Sequence, residues 1–501
     1  MKDFMIRCMI LGALIFHSCV DLEQIPYSSL TPENFFKNES DAKSAVMSAY
    51  AGFTNQDVFN QYTEVVHTQG TDDAEWGNGR NTNNVNKNEF DKFIYTPESK
   101  LVYDIWVAYY SAINTCNYAI DNISAMPDGA VSETRRRNLV AEAKFLRAVY
   151  YFNMVRYWGG VPLREHQTTS LEDLEVTRNS ADEVYQLIIA DLSDAEENLP
   201  SVRDYAAADI GRATRGAAAG LLAKVYLTRE EWAKVVTQTD RVMQSGEYSL
   251  NASYADNFNL DKENGPESLF DIQYMAGPDN VGSNFNGFFR PPFVTLNGWA
   301  GYGDNPVTKN LWDAYGANPD GTCDDTRRNV NIRLYTREEY PGMSSTILYP
   351  YYCNKYLDFT ALATRSHSGN NYPVLRYSDI YLMRAEALGR QNVSDPEAYR
   401  YLNIIRRRAY GMPLDQPAAC DVAPTGSVDE FVNLILRERR LEFAFEAQRW
   451  FDLVRTRKLK DAMMAQDPAV GSAVQDKHYI FPIPQAERDA NPRLEQQDLW
   501  N

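Results

Sequence analysis

The chain is 501 residues long, with 44% hydrophobic and 24% charged residues, enough length and apolar content for a large core. A formal net charge of −18 argues against nucleic acid as a partner, because phosphate binding needs a basic footprint. Aromatic residues reach 12%, with 32 Tyr among them, a composition suited either to broad amphipathic binding surfaces or to helix–helix contacts.

At the N-terminus, Lys2 and Arg7 accompany an apolar run from Cys8 to Phe16. That run is too short for a spanning helix and right for the apolar region of a secretory signal. Ser18 and Cys19 come next, and the chain then turns polar at Asp21 and Glu23. The segment resembles a bacterial lipoprotein signal, which implies removal of residues 1–18 and lipidation of Cys19. Phe16 and His17 are unusual before such a cysteine, and the alternative is an ordinary secretory signal with an unrelated Cys19. No other segment approaches the ~20 apolar residues needed to span a bilayer, so the expected membrane contact is an anchor only. Cys116, Cys323, Cys353 and Cys420 form no Cys-x-x-Cys pair, which leaves no zinc or redox motif and three possible disulfide pairings.

Helical periodicity dominates the chain beyond the signal segment. Ser40 is the expected N-cap of a helix that places Ala45, Val46, Ala49 and Phe53 on one stripe. Residues 101–123 carry a lightly built stripe of Ile105, Ala108, Ala112, Thr115 and Ala119. A long helix over 135–158 ends at Gly159-Gly160, a C-cap signal followed by Pro162. The next helix is capped by Ser180 or Asp182 and stopped at Pro200. Residues 214–250 read as an Ala- and Gly-rich helix and a second beginning near Glu230 and closed by Ser245-Gly246, a unit like a tetratricopeptide helix pair. A similar pair spans 377–411, and Phe431 to Lys458 reads as one more long helix. Between about 250 and 372 the chain is rich in Gly, Asn, Pro and aromatics without a helical period, and reads as long loops with a few short strands. Residues 81–90 read as a further polar loop.

No constellation carries catalysis. The histidines show no metal-ligand spacing, and there is no nucleophile elbow and no phosphate-binding Gly-rich loop. Asp72, Asp73 and Glu75 offer paired carboxylates, but spacing in sequence does not set the separation a glycosidase needs. The densest chemistry lies at Leu434–Leu459, where Glu438, Glu442 and Glu446 recur every four residues. Like charges so stacked need cations between and across from them, and Arg439, Arg449, Arg406, Arg407 and Arg408 are the expected partners. Leu436, Phe443, Ala447, Trp450 and Val454 make one apolar stripe and Leu434, Leu441 and Phe445 a second, so the segment is expected to be buried on two sides as an internal ion-pair network.

That segment, "RERRLEFAFEAQRWFDLVR", is similar to the signature helix of the SusD/RagB family of outer-membrane nutrient-binding lipoproteins. "LTPENFFKNESDAKSAVMSAYAGF", "AEAKFLRAVYYFNMVRYWGGVPL", "YPVLRYSDIYLMRAEAL", "LNIIRRRAYG" and "YIFPIPQAERDANPRLEQQ" match in the same order along nearly the whole chain. The resemblance implies a mostly α fold: tetratricopeptide-like helix pairs forming a right-handed superhelical scaffold, with a loop-rich, partly β region. The expected division is a signal peptide at 1–18 and one domain over 19–501. Its helical scaffold lies at about 31–250 and 373–465, and its ligand-facing loops at about 70–98 and 250–372. It also implies an outward-facing outer-membrane lipoprotein that captures oligosaccharides and delivers them to a SusC-like TonB-dependent transporter, without catalytic activity, cofactor or metal. Asp21 and Glu23 resemble a weak form of the acidic surface-export signal of such lipoproteins.

Sugar binding needs flat aromatic faces for the C–H side of a pyranose and planar polar groups for its hydroxyls. Two loop stretches supply both: Asp72, Asp73, Trp76, Asn78 and Arg80, and Phe288, Phe289, Asn297, Trp299 and Tyr302, with Asp304 near the second. Burial of Trp76 and Trp299 under their own loops is the alternative. Two other functions stay open, a peptide-binding member of the same family and an extracellular glycoside hydrolase.

Overall fold

The structure, a computed structural model, describes residues 35–60, 65–76, 85–170, 174–276, 282–296, 298–316, 318, 322–345, 347, 350–359 and 368–501. The signal segment, Cys19, Asp21 and Glu23 lie outside them. Helix α1 (Glu39–Ala51) is capped by Asn38, not Ser40: the Asn38 Oδ1 accepts the Ser40 and Asp41 amides at 2.8 and 3.2 Å, and the Asp41 carboxylate accepts the Asn38 amide at 3.1 Å. The cap moves because Asn38 puts Asp41 at the position where a capping box closes. A short helix, α2 (Val85–Asp91), occupies most of the segment read as a polar loop. Helix α3 (Lys100–Ser124) buries Ile105, Ala108, Ala112 and Ala119, as its stripe predicts. Helix α4 (Glu133–Trp158) ends at Gly159 with φ 68°. At Gly160 a Cβ would stand 2.2 Å from the Asn179 carbonyl, so the Gly-Gly pair both ends the helix and admits the returning chain.

Ser180 caps α5 (Ala181–Asn198) in a capping box with Glu183. The helix pair expected at 214–250 is α6 (Arg215–Thr228) and α7 (Trp232–Gln244), joined through Glu230 at φ 59°. The glycines of α6 admit other neighbours than α7: Gly216 faces the Tyr248 ring, and Gly220 faces Leu375 and Leu269. Each helix from α3 to α7 packs on the next.

The long insertion then begins and ends in one small sheet. Strand β1 (Ser268–Ile272) pairs antiparallel with β6 (Tyr372–Arg376), so the ends of a hundred-residue excursion are tied together. Between them lie α8 (Phe285–Phe289), β2 (Thr295–Leu296), β3 (Trp299–Ala300), α9 (Lys309–Ala314), α10 (Arg327–Asn331), β4 (Ile332–Leu334) and β5 (Tyr351–Cys353). The short strands match expectation. The three helices escape it, since five or six residues are too few to show a period. Helices α11 (Tyr377–Gln391) and α12 (Pro396–Ala409) resume the scaffold, with α11 packed on α7, α12 and α13 (Val428–Glu442). Among the described residues no helix is long and apolar enough to cross a membrane. No disulfide joins Cys116, Cys323, Cys353 or Cys420 to another among the described residues.

The helix expected over 431–458 breaks into α13 and α14 (Arg449–Arg455), with Phe445 at φ 63° and Ala447 at φ 52° between them. Side chains from the insertion, and Tyr254 ahead of it, hold carbonyls in this break. The Leu441 carbonyl accepts the Tyr315 hydroxyl at 2.9 Å, Glu442 accepts Tyr254 at 2.8 Å, Ala444 accepts the Lys355 ammonium at 2.6 Å, and Phe445 accepts Tyr356 at 3.0 Å. With those acceptors satisfied outside the helix, the chain is free to turn, and the turn carries Glu446 to Arg376.

The ion-pair network is internal, as expected, with partly different members. Arg406 meets Glu438 at 2.7 Å and Arg408 meets Glu442 at 2.5 Å. Arg407 instead meets Asp421, Arg439 meets Asp379 and Asp452, and Arg449 meets Asp72. The remaining cations come from the insertion and its closing strand: Arg327 reaches Glu438 and Glu442, Lys355 reaches Glu446, and Arg376 reaches Glu267, Glu442 and Glu446. Burial alone would raise the Glu442 carboxyl. The guanidiniums of Arg408, Arg376 and Arg327 outweigh it and hold the group well below the usual carboxylate range. Arg439 and Lys224 do the same for buried Asp379.

These depressed groups contribute stability that is present above the unfolded carboxylate range, ~4, and lost progressively as pH falls below it towards their depressed folded values. Burial raises Glu263 to about 7 and Asp271 to about 6, which has the opposite sign. Each keeps its proton in the folded chain where the unfolded chain has lost it, so their contribution declines as pH rises from ~4 towards neutrality. Urea denaturation is therefore expected to show stability rising from about pH 3 to 5 and falling from about 5 to 8, with Glu263→Gln flattening the second limb. An equally steep fall in that variant contradicts the assignment.

Candidate functional site

The aromatic loop is built outward from α8. Gly298, at φ 82°, turns a two-residue-a-side hairpin that pairs Thr295 with Ala300 and Leu296 with Trp299. The chain after the hairpin runs back along α8, where the Tyr302 amide donates to the Gly287 carbonyl at 2.8 Å and the Asp304 amide to that of Phe288 at 2.9 Å. The Arg290 guanidinium donates to the Trp299 carbonyl at 3.1 Å. Gly301 permits this docking, because a Cβ there would sit 1.9 Å from the Arg290 carbonyl oxygen. The two faces of this unit have opposite fates. Phe288 and Phe289 are 1% and 0% exposed and belong to the core, where Phe289 meets Tyr356 and Phe445. Trp299 and Tyr302 are 47% and 46% exposed, an area of aromatic ring uncommon on a folded surface.

The acidic loop is structural. Asp72 accepts Arg449 through Nε and a terminal nitrogen at 2.8 and 2.9 Å, with Arg440 at 3.1 Å, and Asp73 accepts the Arg440 Nε at 2.7 Å. Thr308 closes the loop from the other side, its hydroxyl donating to the Asp72 carbonyl and its amide to that of Asp73. Burial opposes ionisation of Asp72, but Arg440 and Arg449 hold its carboxyl well below the usual range; burial raises its neighbour Asp73. Trp76 is buried at 8% exposure.

Five expected ligand-facing residues are thus placed elsewhere: Phe288 and Phe289 because their helix presents them to the core, Asp72 and Asp73 because two arginines claim them, and Trp76 because it is buried. Asn78, Arg80 and Asn297 lie outside the described residues. Trp299 and Tyr302 remain, three residues apart on one docked hairpin. Asp304 is buried behind them.

Sequence reasoning missed a cleft of about 320 Å³ lined by Asp72, Asn310, Asn433, Arg437 and Asp461. Its one legible signal was the spacing of Asn433, Arg437 and Arg440 along one face of a helix.

Two family models match the chain, one described as the SusD family over residues 344–500 and one described as "Starch-binding associating with outer membrane" over residues 22–227. The chain is 27% identical to SusD-like protein P2 of Formosa agariphila over 513 residues, covering 99% of each. It resembles the crystal structure of a SusD homolog from Bacteroides thetaiotaomicron with a TM-score of 0.80 at 23% identity, over 93% of this chain and 98% of that one. A laminarin-binding SusD-like protein matches with a TM-score of 0.77 at 25% identity, over 92% of this chain and 99% of that one. Matched in both its halves by these models and along almost its whole length by these relatives, the chain belongs to the SusD/RagB family.

Proposed function

We propose that this protein is a non-catalytic, outward-facing outer-membrane lipoprotein, anchored through Cys19, that captures oligosaccharides and passes them to a SusC-like TonB-dependent transporter. The observation that carries this reading is the pair of half-exposed rings, Trp299 and Tyr302, on a hairpin whose backbone is fixed against α8. Leaving two large rings half exposed forgoes about 1 kcal/mol of burial each, a cost that a stacking surface for sugar rings accounts for. The family description, with its starch binding and outer-membrane association, and the laminarin-binding relative support a saccharide as the cargo. Asp72 and Asp73, the paired carboxylates a hydrolase would use, are committed to Arg440 and Arg449, which supports binding without hydrolysis.

Isothermal titration of the mature chain with laminarihexaose, maltohexaose, xylohexaose and mannohexaose tests the reading. At least one is expected to bind, and Trp299→Ala to weaken it by about tenfold or more. No heat with any of the four contradicts the proposal, as does release of reducing ends by the purified protein.

A further inference from the structure

The cleft beside Asp72 draws its groups from four helices, α9 among them through Asn310. Asn433, Arg437 and Arg440 stand on one face of α13, Leu453 comes from α14, and Asp461 from α15 (Leu459–Gln466), with Lys458 in the turn before it. One wall is rigid: Arg440 is held by Asp73 and by Asn310 at 2.8 Å, and Arg449 by Asp72. The groups facing that wall are not committed. Arg437 makes one long bond, 3.4 Å, to the Ala314 carbonyl, and among the described residues no carboxylate lies within ion-pair distance of it. Lys458 reaches only the exposed Asp429, at 3.7 Å. Asn433 and Asp461 make no side-chain hydrogen bond among the described residues.

A larger cleft of about 480 Å³ beside α3 differs in this respect, since its Asn114, Arg164 and Asn491 are already bonded to backbone. In the Asp72 cleft Arg437 stands against Asp461, and Lys458 has its counter-charge in Asp429, which does not line the cleft, so the loose charges balance and nothing favours an anion or a cation. Planar amide, guanidinium and carboxylate groups above Leu436 and Leu453 instead match the hydroxyls and the C–H face of a neutral sugar ring.

We infer that this cleft is a second saccharide subsite, in which Asn433, Arg437 and Asp461 bind ring hydroxyls over an apolar floor at Leu436. It rests on the glycan-capture reading, and its Asn310, in the first turn of α9, follows Tyr302 by eight residues in the chain. Because its groups project from helices, their positions are set before ligand arrives, and the binding cost is lower than for loop residues.

The test titrates the same four hexasaccharides into the wild type, an Asn433→Ala/Arg437→Ala double variant, and Trp299→Ala. These two cleft residues are exposed and their loss leaves the ion-pair network intact, and a melting curve like the wild type's checks that the variant is folded. For the sugar that binds, the double variant is expected to lose about tenfold in affinity. Combining it with Trp299→Ala is expected to abolish the residual binding seen with either alone. A double variant that binds like wild type overturns the subsite while leaving glycan capture standing. No binding of any of the four sugars to the wild type overturns both.

Discussion

Arg376→Met is expected to lower the stability of the folded chain by about 3–5 kcal/mol, the range for removing one partner from a buried ion pair. Arg376 donates to Glu446 through Nε at 2.8 Å, to Glu267, Ser378 and Glu442 through one terminal nitrogen, and to the Glu442 carbonyl and Glu446 through the other. At 3% exposure no water replaces it. Without it Asp325, Glu267, Glu438, Glu442 and Glu446 face only Arg327, Lys355, Arg406 and Arg408, so the carboxylates outnumber the cations left in a dry site. The matching control is Arg241→Ala, whose 2.7 Å bridge to Glu196 is largely exposed and contributes about 0–1 kcal/mol. Urea unfolding of both variants measures the difference. Equal midpoints for the two contradict a network that holds scaffold, insertion and the α13–α14 break together.

Gly301→Ala is expected to cost about 1–3 kcal/mol and to weaken glycan binding as strongly as Trp299→Ala. The added methyl meets the Arg290 backbone, not a movable side chain, so the segment must lift from α8. Lifting breaks the hydrogen bonds that the Tyr302 and Asp304 amides donate to α8 and frees the hairpin that orients Trp299. The variant leaves both rings in place and changes only how they are held. Titration of Gly301→Ala with the sugar that binds wild type gives the answer, and an unchanged affinity removes the hairpin from the binding surface.

Much of the scaffold was legible because long helices repeat their pattern many times. The Gly159-Gly160 stop, the Ser180 cap and the turn between α6 and α7 stand where local chemistry puts them. The break after Glu442 was not legible, since the groups that satisfy its carbonyls, Tyr254, Tyr315, Lys355 and Tyr356, come from 89 to 188 residues earlier in the chain. The same distance explains the network. Arg406 and Arg408 were foreseeable from the neighbouring helix, whereas Arg327 and Arg376 are brought in by folding of the insertion.

The candidate site was legible as a region and not as a residue set. A loop full of aromatics does not say which ring turns inward, and α8, which sends Phe288 and Phe289 to the core, is too short to announce itself. Asp72 and Asp73 looked like ligand groups until Arg440 and Arg449, 367 and 377 residues further along the chain, took them.

The most direct test of glycan capture is a crystal structure of the mature protein with the hexasaccharide that binds most tightly. The expected result is a sugar ring lying with its C–H face within ~4 Å of the Trp299 ring, with Tyr302 beside it. Sugar bound elsewhere, with both rings left facing solvent, contradicts the account.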